Sequence, residues 1–260
     1  MSDVAVLLLT EDNSKWAFET IEQLCRRIFD LLAPQVASGE WLTFAPVNDA
    51  ARAEATAAWK SKKPRDHAKV LRLCRQIAEQ VLRSDGFVFF HVDSDVTWGQ
   101  DRSHNLDTFD EVIRGKVRAI VRGHFAKIDG DGAHGPRVEC AMSKLITLTP
   151  YYSIEAWLFA NVAQLRKLGV TGAVLDAWEA DLSKLEQTIK PKQRLSISTR
   201  HYPTLARELK PANLYHLGSS FFETVNRAGA CGSLIVRLRH RWPDWVRLQY
   251  CPEELEDAAR

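Results

Sequence analysis

An α/β fold, with a Rossmann-like, mainly parallel sheet and a helical C-terminal part, is what the 260-residue chain predicts, and three observations carry that reading. Short runs rich in Val, Leu, Ile and Phe alternate with segments of helical periodicity as far as about residue 160. These runs are apolar at consecutive positions, as expected of parallel strands covered on both faces. Beyond that point strand signals stop while helix signals continue. The expected division is therefore an α/β domain over 1–164 and a helical region over 165–260.

The elements follow in order. Val4 to Thr10 reads as a buried parallel strand, central in its sheet. Ser14 stands where it can cap a helix whose Trp16, Ile21, Leu24, Ile28 and Leu31 share a face, and Pro34 ends it. Trp41 to Val47 is a second strand. A polar, basic connection from Lys60 to Lys69 leads into a helix carrying Val70, Leu73, Ile77 and Val81, broken by Gly86. Phe87 to Val92 is the strongest strand, and Asp93-Ser-Asp95 terminates it. Leu106 to Phe125 predicts a helix with Phe109, Val112, Val117, Ile120 and Val121 on its apolar face. Ile128 to Pro136 is a turn region. Its Asp129-Gly-Asp-Gly132 opens like a calcium loop, but the twelfth position is Cys140 where a bidentate glutamate is needed, so it reads as turn chemistry. Lys144 to Thr149 is a fourth strand, and Ser153 is placed to cap a helix carrying Glu155, Trp157, Leu158 and Phe159. Leu165 to Ile189, Tyr202 to Leu209 and Gly218 to Arg239 supply the later helices.

Composition excludes several classes. The 45% hydrophobic and 26% charged fractions are those of a globular protein, not of a disordered or fibrous one. A net charge of +2 gives no strong overall field, so attraction to a polyanion must come from local patches. The longest apolar runs, such as Val4 to Leu9, are too short to cross a bilayer, and no charged-then-apolar leader opens the chain; a cytoplasmic protein is expected. Cys25, Cys74, Cys140, Cys231 and Cys251 are odd in number and scattered, which argues against a disulfide framework and a structural zinc site.

In an open parallel sheet, ligands collect beyond the carboxyl ends of the strands. Acids stand there: Glu11 and Asp12 after the first strand, Asp93 and Asp95 after the third, and Glu155 after the fourth. On an extended backbone the side chains of Asp93 and Asp95 point to one side, where with Glu11 they form a cluster of oxygens that repel one another unless a cation or protons neutralise them. Mg²⁺ or Mn²⁺ is the cofactor this suggests. Glu155 is a further candidate ligand, and Lys144 a candidate phosphate contact.

The order strand, Glu11, helix, strand, helix, strand, Asp93-x-Asp95, helix, strand resembles the Toprim domain, the metal-dependent catalytic module of topoisomerases, bacterial primases and overcoming-lysogenization-defect nucleases. The resemblance covers roughly residues 1 to 160. Pro150 and the run Glu155-Ala-Trp-Leu158 are also similar to a stretch of small stand-alone Toprim-like proteins from bacterial defence and mobile-element operons. The resemblance implies metal ligation by Glu11, Asp93 and Asp95, with Glu155 as a further ligand, and a nuclease with a role in anti-phage defence. Metal would polarise the phosphate and activate water, with Glu11 as ligand or general base. The chain departs from the family where Thr10-Glu11-Asp12-Asn13 lacks the glycine commonly found beside the first-strand glutamate.

A nuclease must also hold a polyanion. The densest basic patch is Lys60, Lys62, Lys63 and Arg65 with His67 and Lys69, in a predicted loop with Trp59 beside it as a stacking surface. Lys190, Lys192, Arg194, Arg200 and His201 form a second patch, and Arg237, Arg239, His240 and Arg241 a third. Trp98 and Gln100 stand where they could border the site. Two alternatives stay open. One is a catalytically inactive Toprim-like protein that binds nucleic acid or a separate P-loop ATPase, since the chain has no Walker-type stretch of its own. The other is a receiver-like phosphorylation switch, suggested by the acidic turn at Glu11-Asp12 but opposed by the distance along the chain to Asp93. DNA versus RNA, the number of ions and homo-oligomerisation are left open by the sequence.

Overall fold

The computed structural model describes residues 4–12, 16–32, 42–44, 53–55, 58–61, 63–97, 99–100, 102–129, 134–209 and 219–234. Strands β1 (Val4–Thr10), β2 (Leu42–Phe44), β3 (Gly86–His91) and β4 (Leu145–Leu148) form one sheet in the order β2-β1-β3-β4, every pair parallel. The α/β fold expected from the sequence is therefore present, and β1 is an interior strand. Alternation along the strands divides the core in two. Val4, Val6, Leu8, Phe87, Phe89, Ile146 and Leu148 face one helical layer, and Leu7, Leu9, Val88, Phe90 and Leu145 face the other.

The first layer is built from α1 (Ala17–Leu32) together with helices from the C-terminal part. These are α6 (Glu155–Leu158), α7 (Val162–Lys167), α8 (Ala173–Ala180), α9 (Ser183–Glu186), α10 (Tyr202–Arg207) and α11 (Ser219–Gly229). Their apolar residues belong to the same cluster as β1, so packing is continuous across residue 165. The second layer contains α2 (Pro64–Leu82), α3 (His104–Phe109), α4 (Gly115–Asp129) and α5 (Gly135–Met142). In it Phe90 meets Phe109 edge to face at 4.9 Å, and Trp59 meets Phe109 at 5.7 Å. Gly86 is required at the start of β3, because a Cβ there would lie 2.0 Å from the Gln80 carbonyl oxygen at the end of α2.

Several expectations are corrected. Pro64 opens α2, so Arg65, His67 and Lys69 stand on its first turns and not in a loop. The predicted turn from Ile128 to Pro136 gives way to a helix, α5, from Gly135; Asp129 ends α4 and residues 130–133 lie outside the described residues. The single helix expected over Leu165 to Ile189 is three short ones, interrupted where Gly169 and Gly172 adopt φ of +81° and +123°. Ser153 does not cap α6. The cap position is Ile154, and the Ser153 hydroxyl turns to Glu155 instead. Ser14 and the flanks of the second strand, including Trp41 and residues 45–47, lie outside the described residues.

Candidate functional site

β1 and β3 are neighbours in register, with Thr10 opposite His91, so the residues following them emerge side by side at the carboxyl rim. That pairing brings acids 82 positions apart into contact. The Asp93 backbone N–H donates to Glu11 Oε1 at 3.0 Å, and the Asp93 carboxylate accepts from the Ile154 N–H at 3.0 Å, beyond β4. Glu11, Asp12, Asp93, Asp95 and Glu155 all line one open cavity of about 420 Å³, and Lys190, Lys192 and Gln193 line it from the C-terminal part.

The expected extended Asp93-Ser-Asp95 is not what forms. Asp95 has φ of +56°, in the left-handed region, and so does Tyr152 at +55°. The two are locked together: the Asp95 N–H donates to the Tyr152 carbonyl at 3.0 Å, and the Tyr152 N–H donates to the Val96 carbonyl at 2.6 Å. This pairing continues the β3–β4 ladder past the sheet and folds both chains around the cavity. Asp95 is exposed, and its carboxylate accepts no hydrogen bond among the described residues.

The electrostatics of the rim are under strain. Burial pushes the Glu11 carboxyl up from its ordinary value and the nearby Asp93 pushes it further, while His91 and Lys60 pull it back only in part. Desolvation and Asp93 likewise raise Asp95. Two basic side chains answer this excess of negative charge. Lys60, on the short turn Ala58–Lys60, places its Nζ 3.0 Å from Glu11 Oε2. His91, fully buried on β3, has Nε2 3.0 Å from Asp93 Oδ1 and Nδ1 3.1 Å from Thr10 Oγ1. Asp93 is the polar contact of this buried Nε2 among the described residues. Burial by itself would lower the imidazole, but Asp93, Glu11 and Asp12 outweigh it and hold His91 above its ordinary value.

Asn105, buried on α3, completes the rim. Its amide donates to Glu11 Oε2 at 3.3 Å and to the Asp93 carbonyl. The helix bearing it is capped by Ser103, whose hydroxyl accepts from the Leu106 N–H and donates to the Ser94 carbonyl.

The other candidates are distributed as follows. Glu155 borders the cavity, but Oε1 accepts from the Tyr202 hydroxyl at 2.9 Å and Oε2 from Ser153 at 2.6 Å, which turns its carboxylate toward the C-terminal helices. Burial and Glu155 hold the Tyr202 hydroxyl well above its ordinary range, so it remains a donor. Lys144 is at the opposite rim, because it precedes β4. Its ammonium donates to the Arg83 carbonyl at 2.7 Å just past the end of α2, so the phosphate contact expected of it at the site is corrected to a structural role. Trp59 is 1% exposed and donates its indole N–H to the Ala55 carbonyl, which corrects the stacking role expected of it. Lys63 and Arg65 are exposed at the start of α2, and Lys62 lies outside the described residues. Lys192 joins the acid cavity, whereas Arg194 lines a separate groove with Trp178 and Ile189. Trp98 and the patch of Arg237, Arg239, His240 and Arg241 lie outside the described residues, and Gln100 accepts from the Thr97 N–H. Sequence reasoning missed His91, Asn105 and Tyr202. A histidine inside an otherwise apolar strand was the available signal for the first, since a buried polar ring demands partners.

The protein-family models, the curated proteins and the solved structures give no match to this chain. What the rim can do follows from its own chemistry. Carboxylate oxygens are the donors that a hard divalent cation takes. Their spacing, with Lys60 on Glu11, is not a closed coordination sphere: among the described residues no three His, Cys, Asp or Glu side chains are grouped to hold a metal ion. A divalent cation at these oxygens would have to compete with Lys60 for Glu11. Lys60→Met is expected to tighten Mn²⁺ uptake severalfold while costing roughly 0.5–1 kcal/mol of stability, after allowance for solvent around the pair. Titration of free Mn²⁺ by electron paramagnetic resonance, alongside thermal melts, checks both.

Asp95 makes a complementary case. Between its unfolded value and its raised folded one, the native state holds more proton than the unfolded chain, so stability falls as pH rises through that interval. Asp95→Asn keeps a residue that tolerates left-handed backbone and removes the charge. Its Tm is expected to exceed that of the wild type at pH 7, by no more than about 2 °C, and the gap to close as the pH falls through the carboxylate range. Melts from pH 3 to 8 measure it.

Proposed function

We propose that the protein is a divalent-metal-dependent phosphodiesterase acting on nucleic acid, with Glu11, Asp93 and Asp95 as its reactive acids. One observation carries the reading: acids from two strands converge beyond the carboxyl rim of a parallel sheet, where burial first, and then the charge of Asp93, raises Glu11 and Asp95. The Toprim-like order of elements supports the same reading, as does the basic side of the cavity. Mg²⁺ or Mn²⁺, when bound by these oxygens, would supply Lewis acidity toward the phosphate and lower the pKa of an attacking water. Glu11, with its raised carboxyl, would take the proton of that water once Lys60 has left it. Asp93 is held in place for its part by the Ile154 N–H and by His91. Lys190 and Lys192 would hold the phosphates of the strand across the cavity. Glu155 and Tyr202 would fix the far wall.

A second reading, nucleic-acid binding without cleavage, is favoured by the ion pair of Lys60 with Glu11 and by the open spacing of the acids. Incubation of the protein with single- and double-stranded DNA and RNA in Mg²⁺, Mn²⁺ or EDTA tests the two. Cleavage in either metal that EDTA abolishes is the expected result, and binding with intact strands in both metals would select the second reading. A bacterial defence role, and a partner ATPase, rest on the Toprim likeness alone. No helix among the described residues is long and apolar enough to cross a membrane.

A further inference from the structure

A second cavity, of about 450 Å³, is joined to the acid cavity through residues that contact Glu11. Its volume is within the range of small-molecule sites. Val112, half-buried, gives it an apolar floor, with Trp59 and Val70 almost fully buried beneath. Lys60, His67, His104 and Lys116 stand exposed around its mouth, against a single acid, Glu111. Two of its lining residues also touch the acid site, for Lys60 pairs with Glu11 and Asn105 donates to it. An occupant of this cavity would thus lie one side chain away from the reactive acids.

We infer that this cavity holds one nucleotide of the bound strand, its base on the apolar floor and its phosphate at the cationic mouth. The inference rests on the cleavage reading above and extends it to the substrate's neighbouring unit. A base has two apolar faces and a polar edge, which matches an apolar floor beneath Ser61 and Thr108 hydroxyls that still have accepting lone pairs. A phosphate is held by cations and ring N–H donors, and Lys60, Lys116 and the imidazoles of His67 and His104 stand at the mouth. Lys60 gives the two sites a common control. A phosphate at the mouth competes with Glu11 for its ammonium, so strand binding releases the carboxylate that the chemistry needs.

Binding of fluorescein-labelled hexathymidylate and hexauridylate, measured by anisotropy in EDTA so that no metal contributes, tests the inference. Thr108→Trp fills the cavity, Lys116→Glu reverses the charge at its mouth, and Lys167→Glu on α7 makes the same reversal on an exposed residue that lines neither cavity. Thr108→Trp and Lys116→Glu are each expected to weaken binding of at least one oligonucleotide fivefold or more relative to Lys167→Glu. A smaller effect in a folded variant, or no binding by the wild type, overturns the inference. Lys116 is exposed, so its variant decides the matter should Thr108→Trp melt early. Mn²⁺ uptake by the wild type is read alongside. Oligonucleotide binding that responds to these variants in a protein that takes up no Mn²⁺ would overturn the cleavage reading and leave the nucleotide cavity standing. Mn²⁺ uptake with binding indifferent to the variants would overturn the cavity alone.

Discussion

Asp93→Asn is expected to reduce metal-dependent strand cleavage by about 10³-fold or more, the scale on which one group stabilising developing charge contributes. Asparagine keeps the shape, and its carbonyl oxygen can still accept from the Ile154 N–H. What it lacks is the charge that a divalent cation requires and that holds His91 above its ordinary value. The variant should fold, which separates loss of chemistry from loss of structure. It also carries a pH signature. A histidine raised in the folded state adds stability that is fully present below its unfolded value and is lost as pH rises through the folded one. Wild type and variant should therefore differ in Tm most at about pH 6 and converge at alkaline pH. Cleavage assays on matched preparations, with melts from pH 5 to 9, read both effects. Activity within tenfold of wild type would remove Asp93 from the mechanism.

The second large effect is on stability. Trp157 is fully buried on α6, packs edge to face on Phe221 at 5.2 Å, and donates its indole N–H to Ser220 Oγ at 2.8 Å. Ser220 Oγ in turn accepts from the Tyr151 N–H, at the start of the segment that carries Tyr152 to Asp95. Trp157→Ala is expected to cost about 3–5 kcal/mol, as a large aromatic removed from a packed interior does. Because the same residue tethers α11 to the site's loop, amide exchange should accelerate at Tyr151 and Tyr152 before the global core opens. Denaturant unfolding gives the first quantity and hydrogen exchange the second. Trp157→Phe, which keeps the ring packing but not the N–H, should recover most of the stability.

The strands were legible because burial on both faces leaves a simple mark, a continuous apolar run, and three of the four begin and end within two residues of expectation. The position of Glu11 and Asp93 at the rim was legible for the same reason, since parallel strands all deliver their following residues to one side. What the sequence did not disclose depends on partners distant in the chain. Asp95 looked like the extended partner of Asp93, but its conformation is set by Tyr152, across the ladder. Glu155 sits where an acid near a fourth strand should, yet Tyr202 and Ser153 determine where its carboxylate points. Lys60 looked like one unit of a basic patch and is instead paired with Glu11, the acid that follows β1. Short helices after residue 160 were overestimated in length because apolar periodicity persists across glycines whose positive φ interrupts the backbone.

Asp110–Arg114, between α3 and α4, is a π-helical turn in which the Gly115 N–H donates to the Asp110 carbonyl, five residues back. One residue more than an α-helix needs is wound into that turn, and a residue corresponds to about 100° of rotation. The helical rod is thereby divided into two ends that are clocked independently. The distal end can seat Val117 and Val121 in the core while the proximal end turns Asn105 toward Glu11. Aiming of the amide is thus decoupled from filling of the interior, so the rim could be retuned without repacking what lies beneath it.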